Sequence, residues 1–363
     1  MTLTIETIAR EIGAKAEGDL SLRIARPRQP DEAGPDDLAL AMSAEFLDKL
    51  SQGQSRAAMV AEGTDWRALG LEAAVIVGRS RYAMAGLARL FSTPPAPKDP
   101  VHPSAVIDPT ASLGEGVTVG PLAVIGKGVE IGANTRIEAQ VHVGDGALIG
   151  ADGWLMPGCR IGSGVTIGAR FIGQMNAVIG GDGFSFVSPQ PNAVEDYMER
   201  GTIAASMQAD RYERIDSLGA VVIGDDVEVG ACSVIDKGTV SDTRIGDGVK
   251  IDAHVMVGHN VQVDDTTLLC AQVGIAGSTR IGKRVVLGGR VGVADHISIG
   301  DDSIALAGSG VTTRVPERTV VMGYPALKQD VFMKIFKATR RLPSLAAKVA
   351  ELQKRVPNDD DKG

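Results

Sequence analysis

From Ile107 onward an aliphatic residue returns at every sixth position: Ile107, Leu113, Val119, Ile125, Ile131, Ile137, Val143, Ile149, Leu155, Ile161, Ile167, and then, after Gly173, Ile179. Gly173 alone interrupts this stretch. The register lapses, returns at Ile223, Val229 and Ile235, takes a ten-residue step to Ile245, and runs on through Ile251, Val257, Val263, Leu269, Ile275, Ile281, Leu287, Val293, Ile299, Ala305 and Val311. A period of six is neither helical nor a simple strand alternation. It is the hexapeptide repeat of a parallel β-helix, in which each hexad gives one short strand and one turn. Three hexads close a triangular coil, so each inward aliphatic stacks on its equivalent eighteen residues away. No hexad can bury its face alone, and stability comes from stacking neighbours ~4.8 Å apart.

The composition fits this reading. Gly is abundant at 45 of 363 residues, aromatics make up 4% and hydrophobic residues 44%, as expected of short strands and tight turns around aliphatic side chains. Gly does not recur every third position, which excludes collagen. The net charge of −8 argues against a general nucleic-acid binder. Cys159, Cys232 and Cys270 are scattered with no CxxC spacing, which predicts a reduced compartment with the thiols as small core fillers. The first residues, MTLTIETIAREIGAKAEGD, do not read as a signal peptide, and no stretch approaches the ~20 apolar residues of a membrane span.

Residues 1–93 lack the period and predict a small α/β domain. Ile5, Ile8, Ala9 and Ile12 have helical spacing, and LEAAVIVG reads as a buried strand. Thr93 to Pro97 is a proline-rich linker, the β-helix occupies 101–327 and closes near Gly323-Tyr324-Pro325-Ala326, and residues 328–356 are expected to be helical, interrupted at Pro343. A polar tail follows from Asn358 to Gly363. The repeat is suspended between Gly180 and Val221, a stretch holding Phe184, Phe186, Tyr197 and Tyr212. It reads either as a functional loop or as a tolerated insertion.

Three histidines, His254, His259 and His296, fall in the second repeat block. His259 lies on the turn side of its hexad, seven residues after Asp252, with Gly277 eighteen residues on and so one coil above. That arrangement suits acyl transfer. A neutral His accepts a proton from an attacking amine or hydroxyl, a carboxylate holds its tautomer, and a backbone N–H stabilises an oxyanion. An ordinary solvated turn residue is the plain alternative. A zinc site through His254 and His259 lacks a recognised spacing and a third ligand, so no metal is expected. Ala305 and the run Ala307-Gly308-Ser309-Gly310 lie about one coil beyond His296, where an acyl tail along the prism would pass unless the small residues simply permit close packing. Between Lys328 and Arg355, Lys328, Lys334, Lys337, Arg340, Arg341, Lys348, Lys354 and Arg355 face only Asp330 and Glu351, a basic stretch that implies an acidic partner; Arg314 is a further candidate contact.

Several segments together resemble one family. They are the N-terminal α/β region, His102-Pro103-Ser104-Ala105-Val106-Ile107-Asp108, Gly181-Asp182-Gly183-Phe184, Ile251-Asp252, Gly258-His259-Asn260, Ala276-Gly277-Ser278, and Gly288-Gly289 ahead of His296. In this order they resemble the UDP-3-O-(3-hydroxyacyl)glucosamine N-acyltransferases (LpxD) of lipid A biosynthesis, over essentially the whole chain. The resemblance implies a left-handed β-helix and a cytoplasmic homotrimer with active sites between subunits. It implies a donor held on acyl carrier protein as a phosphopantetheine thioester, with no permanently bound cofactor. His259 would be the general base, Asp252 its carboxylate partner, Gly277 the oxyanion donor and His296 the second histidine near the thioester. Asp182, Phe184, Asn260 and Gly310 join Ser43 and Phe46 as substrate-binding candidates. Ser43 and Phe46 stand where the family carries an Asn and a Tyr for uracil. Arg314, Lys334, Lys337, Arg340 and Arg341 would meet the carrier protein. The rivals are a UDP-N-acetylglucosamine O-acyltransferase, against which residues 1–93 argue, an acetyl-CoA-dependent nucleotide-sugar acetyltransferase, and a non-catalytic trimeric scaffold.

Overall fold

A computed structural model describes residues 2–92, 100–204, 211–323 and 326–355. The linker Thr93 to Pro97, Tyr324 and Pro325 of the closing segment, and the tail from Asn358 lie outside them. The chain divides into two compact units, Met1–Ala96 and Pro97–Gly363. No helix among the described residues is long and apolar enough to cross a membrane.

The first unit is a five-stranded sheet with helices on it. Helix α1 (Ile5–Ile12) starts where Thr4 Oγ1 accepts the Thr7 N–H, and it stops at Gly13, whose φ of 66° is left-handed. The strands Arg26–Arg28, Asp37–Ala41, Ala57–Ala61 and Ala73–Val77 run parallel, and Lys15–Gly18 adds antiparallel to the last of them. Side chains alternate between two cores. Leu38, Met59 and Val75 pack with α1 and with helix α3 (Ser80–Phe91) on one face. Ala39, Ala58 and Val60 pack with Trp66 on the other, beside the short helix α2 (Ala44–Asp48).

The second unit is the expected solenoid. Its two-residue strands form three parallel sheets of ten, ten and nine strands, each strand pairing with those one coil before and after it. On one sheet the inward residues register as Ile235, Val257, Ile275, Val293 and Val311. The third residue after each inward aliphatic turns the corner with φ near +58°. Leu122, Asn134, His254, Asn260, Ser278 and His296 all hold that place. It is the third position of a tight turn that needs positive φ, which Gly, Asn, Asp and His tolerate best.

A second inward position, two residues before each aliphatic, is usually small. Ala123, Val129, Ala147, Val165 and Val227 are buried there. Thr135, Thr267 and Thr279 stand there too, each hydroxyl donating to a backbone carbonyl, so no polar atom is stranded. Phe171 is the exception, and it explains Gly173. The fully buried Phe171 ring occupies the space that an aliphatic at 173 would fill. A Cβ on Gly173 would lie 2.8 Å from Cys159 Sγ and 3.0 Å from Phe171 Cε1. The two inward positions of this hexad have exchanged sizes, which keeps the packed volume.

Three expectations need amendment. Only Cys159 is a core filler, its thiol pushed up to about 12 by burial; Cys232 is exposed and Cys270 half-buried. Pro343 does not break the C-terminal segment, since helix α5 runs unbroken over Gln329–Arg355 with Pro343 inside it. The proline removes one backbone donor, a loss a long solvent-facing helix absorbs. Ala305 is buried in the prism and cannot line an outer groove.

The size exchange generates a prediction. Gly173→Ile alone should lower stability by about 1–3 kcal/mol through overpacking. Phe171→Val added to it should restore most of that loss in denaturant unfolding. Additive losses in the double variant would show that the two positions do not compensate.

Candidate active site

His259 follows the strand Met256–Val257 at one corner of the prism and is half-buried. Two glycines clamp its imidazole. A Cβ on Gly183 would lie 2.8 Å from His259 Cβ. One on Gly277 would lie 2.6 Å from Cε1 and 2.7 Å from Nε2, so no side chain fits at either place. Gly183 belongs to the excursion from the repeat, which is structured among its described residues. Strands Phe186–Val187 and Glu213–Arg214 pair antiparallel, and helix α4 (Ala193–Arg200) starts with a capping box at Asn192. The Gly183 N–H donates to Ser217 Oγ at 2.9 Å, and the Lys237 N–H to the Gly181 carbonyl at 2.7 Å, which ties the excursion to the coil below His259.

The tautomer of the neutral ring follows from its neighbour. Asn260 Oδ1 accepts the Thr239 N–H at 3.0 Å, and its Nδ2 donates to the Ser241 carbonyl at 2.6 Å, which fixes the amide's orientation. His259 Nδ1 lies 3.1 Å from that same oxygen and therefore carries the proton. Nε2 is left with a bare lone pair, facing Gly277. Within the chain it is Asn260 that sets the tautomer, and both its polar atoms are engaged in the protein. It also braces the ten-residue step between Ile235 and Ile245.

Asp252 stands at a different corner. Its two carboxylate oxygens accept the Ala253 N–H at 2.7 Å and the Ala271 N–H at 3.0 Å, and within the chain it makes no hydrogen bond to His259. The seven-residue spacing misleads because one corner separates successive hexads. His254 sits at Asp252's corner, away from His259.

Gly277 fits an oxyanion donor. At the equivalent turn position elsewhere, an Asp one coil on caps the amide, as Asp145 does for Lys127 and Asp301 for Lys283, both at 2.9 Å. The Gly277 N–H has no acceptor among the described residues, although Asp295 stands in the corresponding place. Gly258 keeps the approach open, since a Cβ there would sit 3.1 Å from the Gly277 nitrogen.

His296 and Arg314 continue the same corner at eighteen-residue steps from Ser278, both exposed; the His296 N–H donates to the Gly277 carbonyl at 3.2 Å. Coil spacing puts the His296 backbone ~10 Å along the axis from that of Asn260, with Gly277 and Ser278 on the coil between. Asp182 is bound by Lys237 at 2.8 Å and Arg214 at 3.5 Å, and Lys237 holds its carboxyl below the usual range. Phe184 is 83% exposed, edge-on to Phe186 at 5.1 Å between centroids. On the sheet that carries His259, the outward residues beyond Met256 are Gly274, Gly292 and Gly310, in register and with nothing within 4 Å of any added Cβ. They form a shallow trough leading away from His259.

One residue escaped the sequence reading. Asp236 follows the inward Ile235 one coil below Gly258 and is 4% exposed. Burial raises its carboxyl to about 6, His259 opposing and Asp182 reinforcing the shift. A signal was available. Between the end coils of this face, the residue after the inward aliphatic is Gly126, Gly144, Gly162, Gly180, Gly258, Ala276 and Ala294, and from Gly126 to Ala294 only Asp236 departs from Gly or Ala.

In the first unit, Ser43 caps α2 without a side-chain hydrogen bond, and the half-buried Phe46 lies under Lys49 Nζ at 5.2 Å. Both sit at the carboxyl edge of the parallel strands, where α/β sheets bind ligands. A cavity of about 670 Å³ at the same edge is lined by Lys15, Glu62, Trp66, Arg67, Arg79 and Tyr82. Neither Ser43 nor Phe46 lines it.

The ring assignment can be tested directly. With ¹⁵N-labelled histidine, NMR should report His259 as the Nδ1–H tautomer. Asn260→Gly, which suits the positive φ and deletes the acceptor, should give a mixture, and Asn260→Asp should retain the native tautomer. An unchanged tautomer in Asn260→Gly would refute the role given to Asn260.

Comparison with known proteins gives the family of the chain. Residues 140–170 and 278–313 match the family model described as the hexapeptide repeat of succinyl-transferase. The chain is 48% identical over 356 residues to a UDP-3-O-acylglucosamine N-acyltransferase of Ruegeria pomeroyi, covering 98% of each. It is 48% identical over 363 residues to that of Paracoccus denitrificans (100% of this chain, 99% of that one) and 37% over 357 to that of Pseudomonas aeruginosa (98% and 95%). Among solved structures it resembles an Arabidopsis UDP-N-acetylglucosamine acyltransferase with a TM-score of 0.51 at 24% identity, over 61% of this chain and 71% of that one, a likeness of fold alone. With whole-length identity of this order, the chain belongs to the UDP-3-O-acylglucosamine N-acyltransferase family.

Proposed function

We propose that the chain moves a (3R)-3-hydroxyacyl group from the phosphopantetheine thioester of acyl carrier protein to the 2-amine of UDP-3-O-(3-hydroxyacyl)glucosamine, a step in lipid A synthesis. The observation that carries this reading is His259, with Nε2 bare and clamped against Gly277, whose N–H is unpaired. Nε2 takes a proton from the attacking nitrogen, and the Gly277 N–H receives the charge developing on the thioester oxygen. The carbon–sulfur bond then breaks and the thiol departs with the proton from His259. The glycine trough ending at Gly310 gives the acyl tail a path, and His296 and Arg314 line the corner along which the pantetheine arm would run. Ser43 and Phe46, at the ligand-binding edge of the first unit, serve the uridine. Asp182 and Phe184 border the site from the excursion. No permanently bound cofactor or metal enters this chemistry.

Helix α5 supports an acidic donor. Lys334, Lys337 and Arg341 recur at three- and four-residue steps on one exposed stripe, Arg340 is adjacent over the Phe336 ring at 5.9 Å, and none pairs with a carboxylate among the described residues. A cationic stripe on a chain of net charge −8 suits the acidic carrier protein. The chain works in the cytoplasm as a homotrimer, as the flat faces of a triangular prism allow.

The deciding experiment is acyl transfer to UDP-3-O-acylglucosamine from carrier-protein thioesters of graded length, run against acetyl-CoA, with product mass detection. Transfer from the carrier protein is expected, and His259→Ala should keep its fold while losing a factor of roughly 10² to 10⁴ in turnover. Acetyl transfer alone, or His259→Ala within a few-fold of native, would overturn the reading. Charge reversal at Arg340 and Arg341 should raise the KM for carrier protein in a salt-dependent way and leave that of the sugar unchanged. Equal effects on both substrates would remove the carrier protein from α5.

A further inference from the structure

His259 accounts for one proton, and the reaction proposed above releases two from nitrogen when the amine arrives as an ammonium ion. One must go before the lone pair can attack, and the second leaves after the carbon–nitrogen bond has formed. A hydroxyl nucleophile gives up only one. An enzyme acting on an ammonium therefore needs a second acceptor beside the base, and the inference rests on that reading of the reaction.

The site holds such a group. Ile235 pairs with Val257, so Asp236 lies beneath Gly258 and beside His259. It is buried, and no hydrogen bond to its carboxylate is formed among the described residues. Gly181 lies over it. A Cβ there would touch Oδ1 at 3.5 Å, and the bare glycine leaves that oxygen uncovered on this side. The charged groups facing it are His259 from the coil above and Asp182 from the excursion. The nearby cations Lys237 and Arg214 are both engaged by Asp182. An unpaired carboxylate is costly to bury, and a cation satisfies it best. Every equivalent position from Gly126 to Ala294 on this face does without a side chain beyond a methyl.

We propose that Asp236 binds the substrate's 2-amine as its ammonium ion and takes the first proton, leaving the second to His259. The carboxylate becomes a carboxylic acid as the ammonium becomes a free amine, and the nitrogen then attacks the thioester carbon. Nε2 of His259 removes a proton from the nitrogen of the tetrahedral intermediate. The carbon–sulfur bond breaks, the imidazolium protonates the departing sulfur, and Asp236 returns its proton to solvent. Asp236 thereby selects an amine over a hydroxyl at this position.

The test uses the full chain and two ligands, UDP-3-O-acylglucosamine and its N-acetylated counterpart, which cannot be cationic. By calorimetry the native protein should prefer the amine, and that preference should fade as pH falls through about 6, where the carboxyl gains a proton. His259→Ala should keep both the preference and its fading, which assigns them to the carboxyl. Asp236→Asn should lose about tenfold or more in affinity for the amine and none for the N-acetyl compound. Between the substrate amine's own titration and about pH 6, its kcat/KM for transfer should fall further behind native by about tenfold per pH unit, as only neutral amine can then react. Equal binding of both ligands by native protein, or a loss in Asp236→Asn that is constant with pH, would overturn the proposal. Absence of acyl transfer in the native protein would instead sink the reading of the reaction, and the binding comparison would still decide whether Asp236 holds an ammonium. If Asp236→Asn fails to fold, the native pH series decides alone.

Discussion

Everything in the second unit depends on one repeated contact, an inward aliphatic resting on its equivalent one coil away while the strands between them share backbone hydrogen bonds. Ile235, Val257, Ile275 and Val293 are one such column. The contact is nonspecific in chemistry and strict in spacing. It fixes the height of each coil at the strand separation, and so the distance between any two side chains on one corner. Gly183, His259 and Gly277 meet because the excursion leaves and rejoins the prism without disturbing that spacing. The clamp on the imidazole is a consequence of where coils must lie.

The period made the fold legible, because a hexad admits few alternatives. It also brings Gly277 over His259, since eighteen residues along the chain is one step along the axis. Closeness in sequence is a poorer guide to which groups meet within the chain. Asp252 is seven residues from His259 and a corner away from it, whereas Asp236 is further off in sequence and next to it in space. Asn260 was legible as a motif member but not in its task. That task depends on Thr239 and Ser241, within a step where the repeat gives no register. Gly173 read as a defect because the compensating bulk of Phe171 sits at the other inward position of the hexad, which the eye does not follow.

The site joins two kinds of rigidity. Its floor and roof are backbone of successive coils, and its polar groups are held by short, saturated contacts, such as the amide of Asn260 between three partners. Beside the bare Nε2 of His259, the Gly277 N–H and the Asp236 carboxylate are left without a hydrogen-bond partner among the described residues. One favours negative charge and the other positive, and the half-buried imidazole stands between them. That polarity matches a reaction in which a cationic nitrogen meets a carbonyl oxygen that becomes anionic.

The excursion has a bearing on how the protein comes to exist. A solenoid can add coils as the chain leaves the ribosome, each new coil seating on the last with little delay because its contacts are local. The strand ending at Gly181 must instead wait until Val234–Asp236 has been synthesised before its next neighbour on that sheet can dock. Lengthening a loop adds only about 0.6 kcal/mol of closure cost per doubling, so the delay is one of time more than of stability. During that interval the upper rim of a hydrophobic prism is open at the place where the site will form. The paired strands Phe186–Val187 and Glu213–Arg214 and the capped helix α4 are elements that can order within the excursion itself. They give the nascent chain local structure to form while the rim is exposed, so the segment that borders the candidate site is also the one able to order beside an unfinished edge during biosynthesis.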